Sequence, residues 1–157
     1  MNDHPAVKRV RAYATERGID LSVRHYPAGT HTAQDAAAAI GCDVAQIVKS
    51  LVFLAGGQPV VVLASGSDRV DESKLAAVLG AASARRATAN EAREATGFVV
   101  GGVPPFGHKT AVPVIVDRAL LRHEEVWAAA GLPDAVFPIR PADLVRLSAA
   151  TEADVRG

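Results

Sequence analysis

"QIVKSLVFLAGGQPVVVLASG", residues 46–66, consists of two apolar runs parted by a pair of glycines. Valine-rich runs of this length, split by Gly56-Gly57, read as a β-hairpin with strands at 47–55 and 59–65. Upstream, "THTAQDAAAAIG" is a helix start: Thr32 with Asp35 three residues on forms a capping-box pattern, and Gly41 closes the helix. Further upstream, Val7, Val10 and Ala14 recur at the spacing of an amphipathic helix that Gly18 stops. "DLSVRHYP" alternates Leu21, Val23 and His25 against polar neighbours, which predicts a half-buried strand.

Downstream, Asp71 and Gly80 bound one helix, and Thr88 with Glu91, then Gly97, bound the next. A strand at 98–101 is expected to lead into "GGVPPFGHKT", residues 101–110, and a strand at 112–116 to leave it. "EVWAAAGLPDAVFPI" reads as a second hairpin turning near Pro133-Asp134, and "PADLVRLS" as a short helix with Pro141 in its first turn. Strands that come as hairpins, with helices that do not alternate one for one, predict an α+β fold. Its central sheet should be mixed, largely antiparallel and barrel-like, flanked by helices. With no internal repeat or linker-like shift in composition, residues 1–157 are expected to form a single domain.

Seventeen basic and seventeen acidic residues leave the chain without net charge, so it has no global field to gather polyanions. Any contact with RNA should involve a small part of it and a local patch. Cys42 is the sole cysteine, which excludes an internal disulfide, and its place after "AAAAIG" suits a small buried residue near a helix end. The five histidines lack helical metal-ligand spacing, so neither a metal nor a cofactor is expected. The first residues lack the apolar core of a signal peptide, and no apolar run is long enough for a membrane span. The expected location is the cytoplasm, with no membrane contact.

Two features carry chemistry. Lys49 sits among Ile47, Val48, Leu51, Val52 and Phe53, and alternation places it on the face of Ile47, Leu51 and Phe53. An inward ammonium is costly unless an anion or a strong acceptor meets it. It is either a cation on a pocket floor, or a lysine that snorkels or pairs with a structural carboxylate. The second feature is the 101–110 loop. Its glycines let backbone N–H groups approach a ligand, and its prolines hold those donors in aim. The alternative is a stiff strand connection with Phe106 tucked into the core. His108 reads as a proton shuttle or as a cap on backbone.

Together "IVKSLVF", "GFVVGGVPPFGHK" and "VPVIVD" resemble the YbaK/ProX-like aminoacyl-tRNA deacylases. That family includes the bacterial Cys-tRNA(Pro) deacylase and the editing domain inserted in bacterial prolyl-tRNA synthetases. The resemblance runs from about Tyr26 to "PADLVRL". It implies a trans-editing hydrolase that removes a wrongly attached amino acid from tRNA, most plausibly tRNA(Pro). Lys49 matches the family's essential lysine and Gly101 the loop glycine whose backbone meets the substrate. Ser50, Tyr26 and Thr32 fall at pocket positions. Gly102, Pro104, Pro105, Phe106, Gly107 and His108 complete the expected substrate-binding set.

The acidic pocket residue of the Cys-tRNA(Pro) deacylase would align with Val136, although Asp134 is close by. Small residues such as Thr32, Ser50 and Ala64 would suit alanine, serine or cysteine. The resemblance also implies substrate assistance, in which the ribose 2′-hydroxyl, or the thiol of a cysteine substrate, takes the role of base or nucleophile. The expected partners are the acceptor end of an aminoacyl-tRNA and a synthetase that handles the rest of the tRNA. The rival functions are a non-catalytic module for aminoacyl-tRNA ends and a small-molecule esterase.

Overall fold

The computed structural model describes residues 3–26 and 32–157. In chain order the first elements are α1 (Pro5–Glu16), β1 (Arg24–His25), α2 (Ala33–Ile40), β2 (Val48–Ala55) and β3 (Gln58–Ser65). Then come α3 (Glu72–Leu79), β4 (Ala84–Arg86), α4 (Ala89–Thr96) and β5 (Val114–Asp117). The chain continues through β6 (Val126–Ala129), β7 (Ala135–Ile139), α5 (Pro141–Ser148) and β8 (Thr151–Ala153).

Local chemistry sets the helix starts. Thr32 Oγ1 accepts from Asp35 N–H while Asp35 accepts from Thr32 N–H, and Thr88 and Glu91 repeat this reciprocal cap at α4. Asp71 accepts from Lys74 N–H to start α3. Glycines 41, 80 and 97 stand at the three C-caps.

The fold is α+β with a mixed sheet. Five strands run in the order β4-β2-β3-β5-β8, antiparallel around β2 and parallel on both sides of β5. A second, antiparallel sheet has the order β1-β7-β6. A single parallel bridge, Ile47 to Trp127, ties the end of β2 to β6. Residues 60–65 of β3 are all buried, as the central strand of a sheet covered on both faces must be. One face packs Val61 and Leu63 with α1, α5, Phe106 and Phe137. The other packs Val60 and Val62 with Leu75 of α3, Ile115 and Val155.

Two expected strands are corrected. Residues 98–101 turn rather than extend: Phe98 N–H is taken by the Thr96 hydroxyl at 3.2 Å, and Gly102 N–H by Val99 O at 3.0 Å. The backbone therefore closes a turn here and leaves no extended run to pair with a sheet. Within 20–26 only Arg24 and His25 form a strand, paired with Val136 and Ala135, and His25 is exposed; Pro27 lies outside the described residues. The Leu21 carbonyl goes instead to the Arg11 guanidinium, at 2.9 Å. Among the described residues, no helix is long and apolar enough to cross a membrane.

Candidate active site

A cavity of about 460 Å3 opens between the two sheets, a size suited to a small ligand or the end of a larger one. All of residues 47–52 line it. Successive side chains of a strand point to opposite faces, so a cavity can touch all six only from the strand's edge. That edge is free for a physical reason. On this side β4 pairs with residues 53–55 alone, Ala87 N–H adds a bond to Val52 O, and the next contact is the Ile47–Trp127 bridge.

The N–H and C=O of one strand residue point to the same side, and the side alternates along the strand. Val52 directs its carbonyl toward Ala87, so Ser50 directs its N–H and C=O into the gap. The Ser50 side chain adds to this. Its Oγ is buried and has no hydrogen-bond partner among the described residues, although it borders the cavity. A buried hydroxyl without a partner costs about 1–3 kcal/mol, which a ligand hydrogen bond would offset.

The walls are otherwise small and apolar. The start of α2 contributes Thr32, Ala33 and Ala36, and the start of α4 contributes Ala89 and Ala92. The second sheet adds Trp127, Ala128 and Ala129 of β6, with Val136 of β7. Arg24 lies over the Trp127 ring, 5.0 Å from its centroid, in a cation–π contact.

Among the described lining residues two carry charge, Lys49 and Arg86, and both are cationic. The Lys49 ammonium donates to the main-chain carbonyl of Asp68. Burial pushes its pKa below the ordinary lysine value; the Asp68 carboxylate opposes that, and Arg86 and Arg69 add to it. An anion or a developing negative charge in the cavity would stabilise this ammonium. No Asp, Glu, His or Cys is among the described lining residues.

Lys49, Ser50, Thr32 and Gly101 thus meet around one cavity. Tyr26 stands just outside the lining, its N–H held by Asp134 O at 2.9 Å and its ring against the Trp127–Val136 cluster. Val136 borders the cavity; Asp134 is exposed, and Ala64 is buried in β3 opposite Lys49. The loop meets the cavity at two residues. Gly101 is exposed there and Val103 lines it from the core side, whereas Gly102, Pro104, Pro105, Phe106, Gly107 and His108 lie outside the lining. Phe106 stacks on Tyr13 at 5.3 Å and meets Phe137 at 5.7 Å, so the core reading of this ring describes its position.

His108 donates from Nε2 to Pro104 O at 2.7 Å, which makes it a brace within the loop. Burial lowers its pKa below 6.5, with Arg9 adding to the shift and the Pro104 hydrogen bond opposing it. The neutral form is therefore the one the fold favours, and the unfolded chain binds the proton more readily. The stability linked to His108 is fully present above pH 6.5 and is lost as pH falls through its depressed folded value. His108→Ala is expected to cost about 1–2 kcal/mol of stability and to flatten that acid-side slope, with catalysis nearly unchanged. Urea titrations at several pH values, run beside rate measurements, check this.

Arg86, Trp127 and Val100 also line the site, and reading the sequence did not single them out. Arg86 had one available signal: it directly precedes the "ATANE" helix start, where the chain is committed to turn beside the lysine strand.

An aminoacyl-tRNA editing domain model matches residues 27–147. The uncharacterized protein YwhH of Bacillus subtilis (strain 168) is 31% identical over 144 residues, 91% of either chain. The proline–tRNA ligase of Limosilactobacillus fermentum is 36% identical over 97 residues, which are 59% of this chain and 17% of the ligase. A crystal structure described as that of a proposed trans-editing enzyme for prolyl tRNA synthetase superposes with a TM-score of 0.93. It is 43% identical and covers 99% of both chains.

Proposed function

Since the chain belongs to the aminoacyl-tRNA editing domain family, we propose that it hydrolyses the ester joining a wrong amino acid to tRNA, acting in trans on tRNA(Pro). The observation that carries this reading is a cavity whose described lining holds two cations and an unpartnered hydroxyl, with no Asp, Glu, His or Cys among those residues. Such a site suits a bond that is already activated. An aminoacyl ester needs its carbonyl polarised and its end held still, and the protein need not supply a strong nucleophile.

In the proposed reaction, water attacks the ester carbonyl carbon. Charge gathers on the carbonyl oxygen, where the Lys49 ammonium and the Ser50 N–H on the open strand edge are the stabilising groups. Gly101 leaves room for the ribose to lie against the main chain. The neighbouring 2′-hydroxyl of the terminal ribose relays the proton from water to the departing 3′-oxygen. The ester C–O bond breaks, and free amino acid and tRNA leave. The alanine-lined walls and the hydroxyls of Thr32 and Ser50 fit a small side chain such as alanine, serine or cysteine.

The test is release of amino acid from a panel of charged tRNAs, with tRNA(Pro) carrying alanine, serine or cysteine among them. Multiple-turnover release from at least one of these is expected, with aminoacyl methyl esters, which lack the ribose 2′-hydroxyl, left intact. Binding without turnover would make the protein a non-catalytic module, and equal turnover of simple esters would make it an esterase.

A further inference from the structure

Beyond the cavity itself, and resting on the deacylase reading, we propose that Arg86 is a phosphate grip, taking a backbone phosphate beside the terminal nucleotide of the acceptor strand.

Arg86 ends β4, exposed to solvent yet bordering the cavity, with its guanidinium carbon 5.8 Å from the Phe53 ring centroid. That contact is made by a face of the guanidinium, so its N–H edge is the part left for a ligand at the mouth. The nearby carboxylates are engaged elsewhere. Glu91 holds Arg85 through two bonds of 2.9 Å, and Asp68 lies 3.9 Å from Arg156. Among the described residues Arg86 has no carboxylate within salt-bridge distance, and its guanidinium makes no hydrogen bond. A protein whose charges cancel overall therefore keeps an unneutralised arginine at the entrance to its site.

The chemistry of the substrate decides what that fork meets. An amino acid esterified through its carboxyl group has lost its carboxylate and keeps an α-ammonium, which a cation repels. The anions of a charged tRNA end are its phosphodiesters, so an uncompensated guanidinium at the mouth faces one of them. Guanidinium presents paired donors that match two phosphate oxygens, which an ammonium cannot do. Lys49, deeper along the strand edge, is then left for the ester. Arg86 and Lys49 repel one another, and a phosphate at Arg86 relieves that repulsion.

Binding of the uncharged trinucleotide CCA reads this contact without any turnover. Arg86→Gln is expected to weaken that binding roughly tenfold, the effect one charge-assisted contact carries. It should also reduce the slope of log affinity against log salt by about 0.7, one single-strand phosphate contact. Arg86→Lys should recover part of the loss. In turnover, Arg86→Gln should lose several-fold more kcat/KM on charged tRNA than on 3′-O-aminoacyl adenosine, which has no phosphate. Failure of the wild type to bind CCA, equal binding by the variant, or equal losses on both esters overturns the proposal. If the wild type hydrolyses neither ester, the deacylase reading falls, and CCA binding still decides the role of Arg86.

Discussion

Lys49→Ala is expected to abolish measurable deacylation while the protein keeps its fold. The ammonium is held below its ordinary pKa by burial, so the folded chain bears a cost to keep it charged. Its hydrogen bond to the Asp68 carbonyl offsets part of that cost. Removing both leaves stability within about 1 kcal/mol of the parent. Catalysis has no such compensation, because one preorganised donor on a developing oxyanion carries roughly a hundred- to a thousandfold in rate. Arg86 stays at the mouth in this variant and does not replace the lysine. Lys49→Arg is expected to fail as well, since a planar fork cannot enter a gap shaped for a compact ammonium. Single-turnover hydrolysis of mischarged tRNA, with thermal melts as the fold control, makes the measurement. Full activity in either variant would remove Lys49 from the mechanism.

The two adjacent loop glycines should separate by phenotype. At Gly101, with φ of +90°, an added Cβ would meet only the Pro133 side chain, at 3.6 Å. The strain of that backbone conformation costs about 1–2 kcal/mol, so Gly101→Ala should fold with a modestly lower Tm. Its methyl group would stand at the cavity where the substrate must approach, and a loss of about a hundredfold in rate is expected. At Gly102 a Cβ would lie 2.9 Å from Gly131 O and 2.9 Å from Leu132 Cα, both backbone atoms. Neither can yield without moving the turn before β7. Gly102→Ala is therefore expected to lose about 1–3 kcal/mol of stability as well as activity. Wild-type rates in Gly101→Ala would show that the main chain there does not meet the substrate.

The features legible in the chain are those whose cause lies within a few residues of them. Thr32 with Asp35 and Thr88 with Glu91 are reciprocal caps three residues apart, so the starts of α2 and α4 were legible. The hairpin of β2 and β3 was legible because its two strands adjoin across one turn. Lys49 stood out because a charge amid an apolar strand conflicts with its neighbours whatever surrounds it. Tertiary structure alone decided where that conflict leads. The free edge of β2 exists because β4 stops at Arg86 and β6 pairs with the strand's end through the single Ile47–Trp127 bridge among the described residues, a matter of where distant strands end. Ser50 thereby gained an open N–H and an unpartnered hydroxyl that no local pattern announces. The loop looked like one ligand-facing unit from its composition. Packing of Phe106 against Tyr13 and Phe137 drew most of it inward and left Gly101 and Val103 at the cavity. Burial of an aromatic ring is set by the partners available in the folded core, and those partners come from α1 and β7, far along the chain.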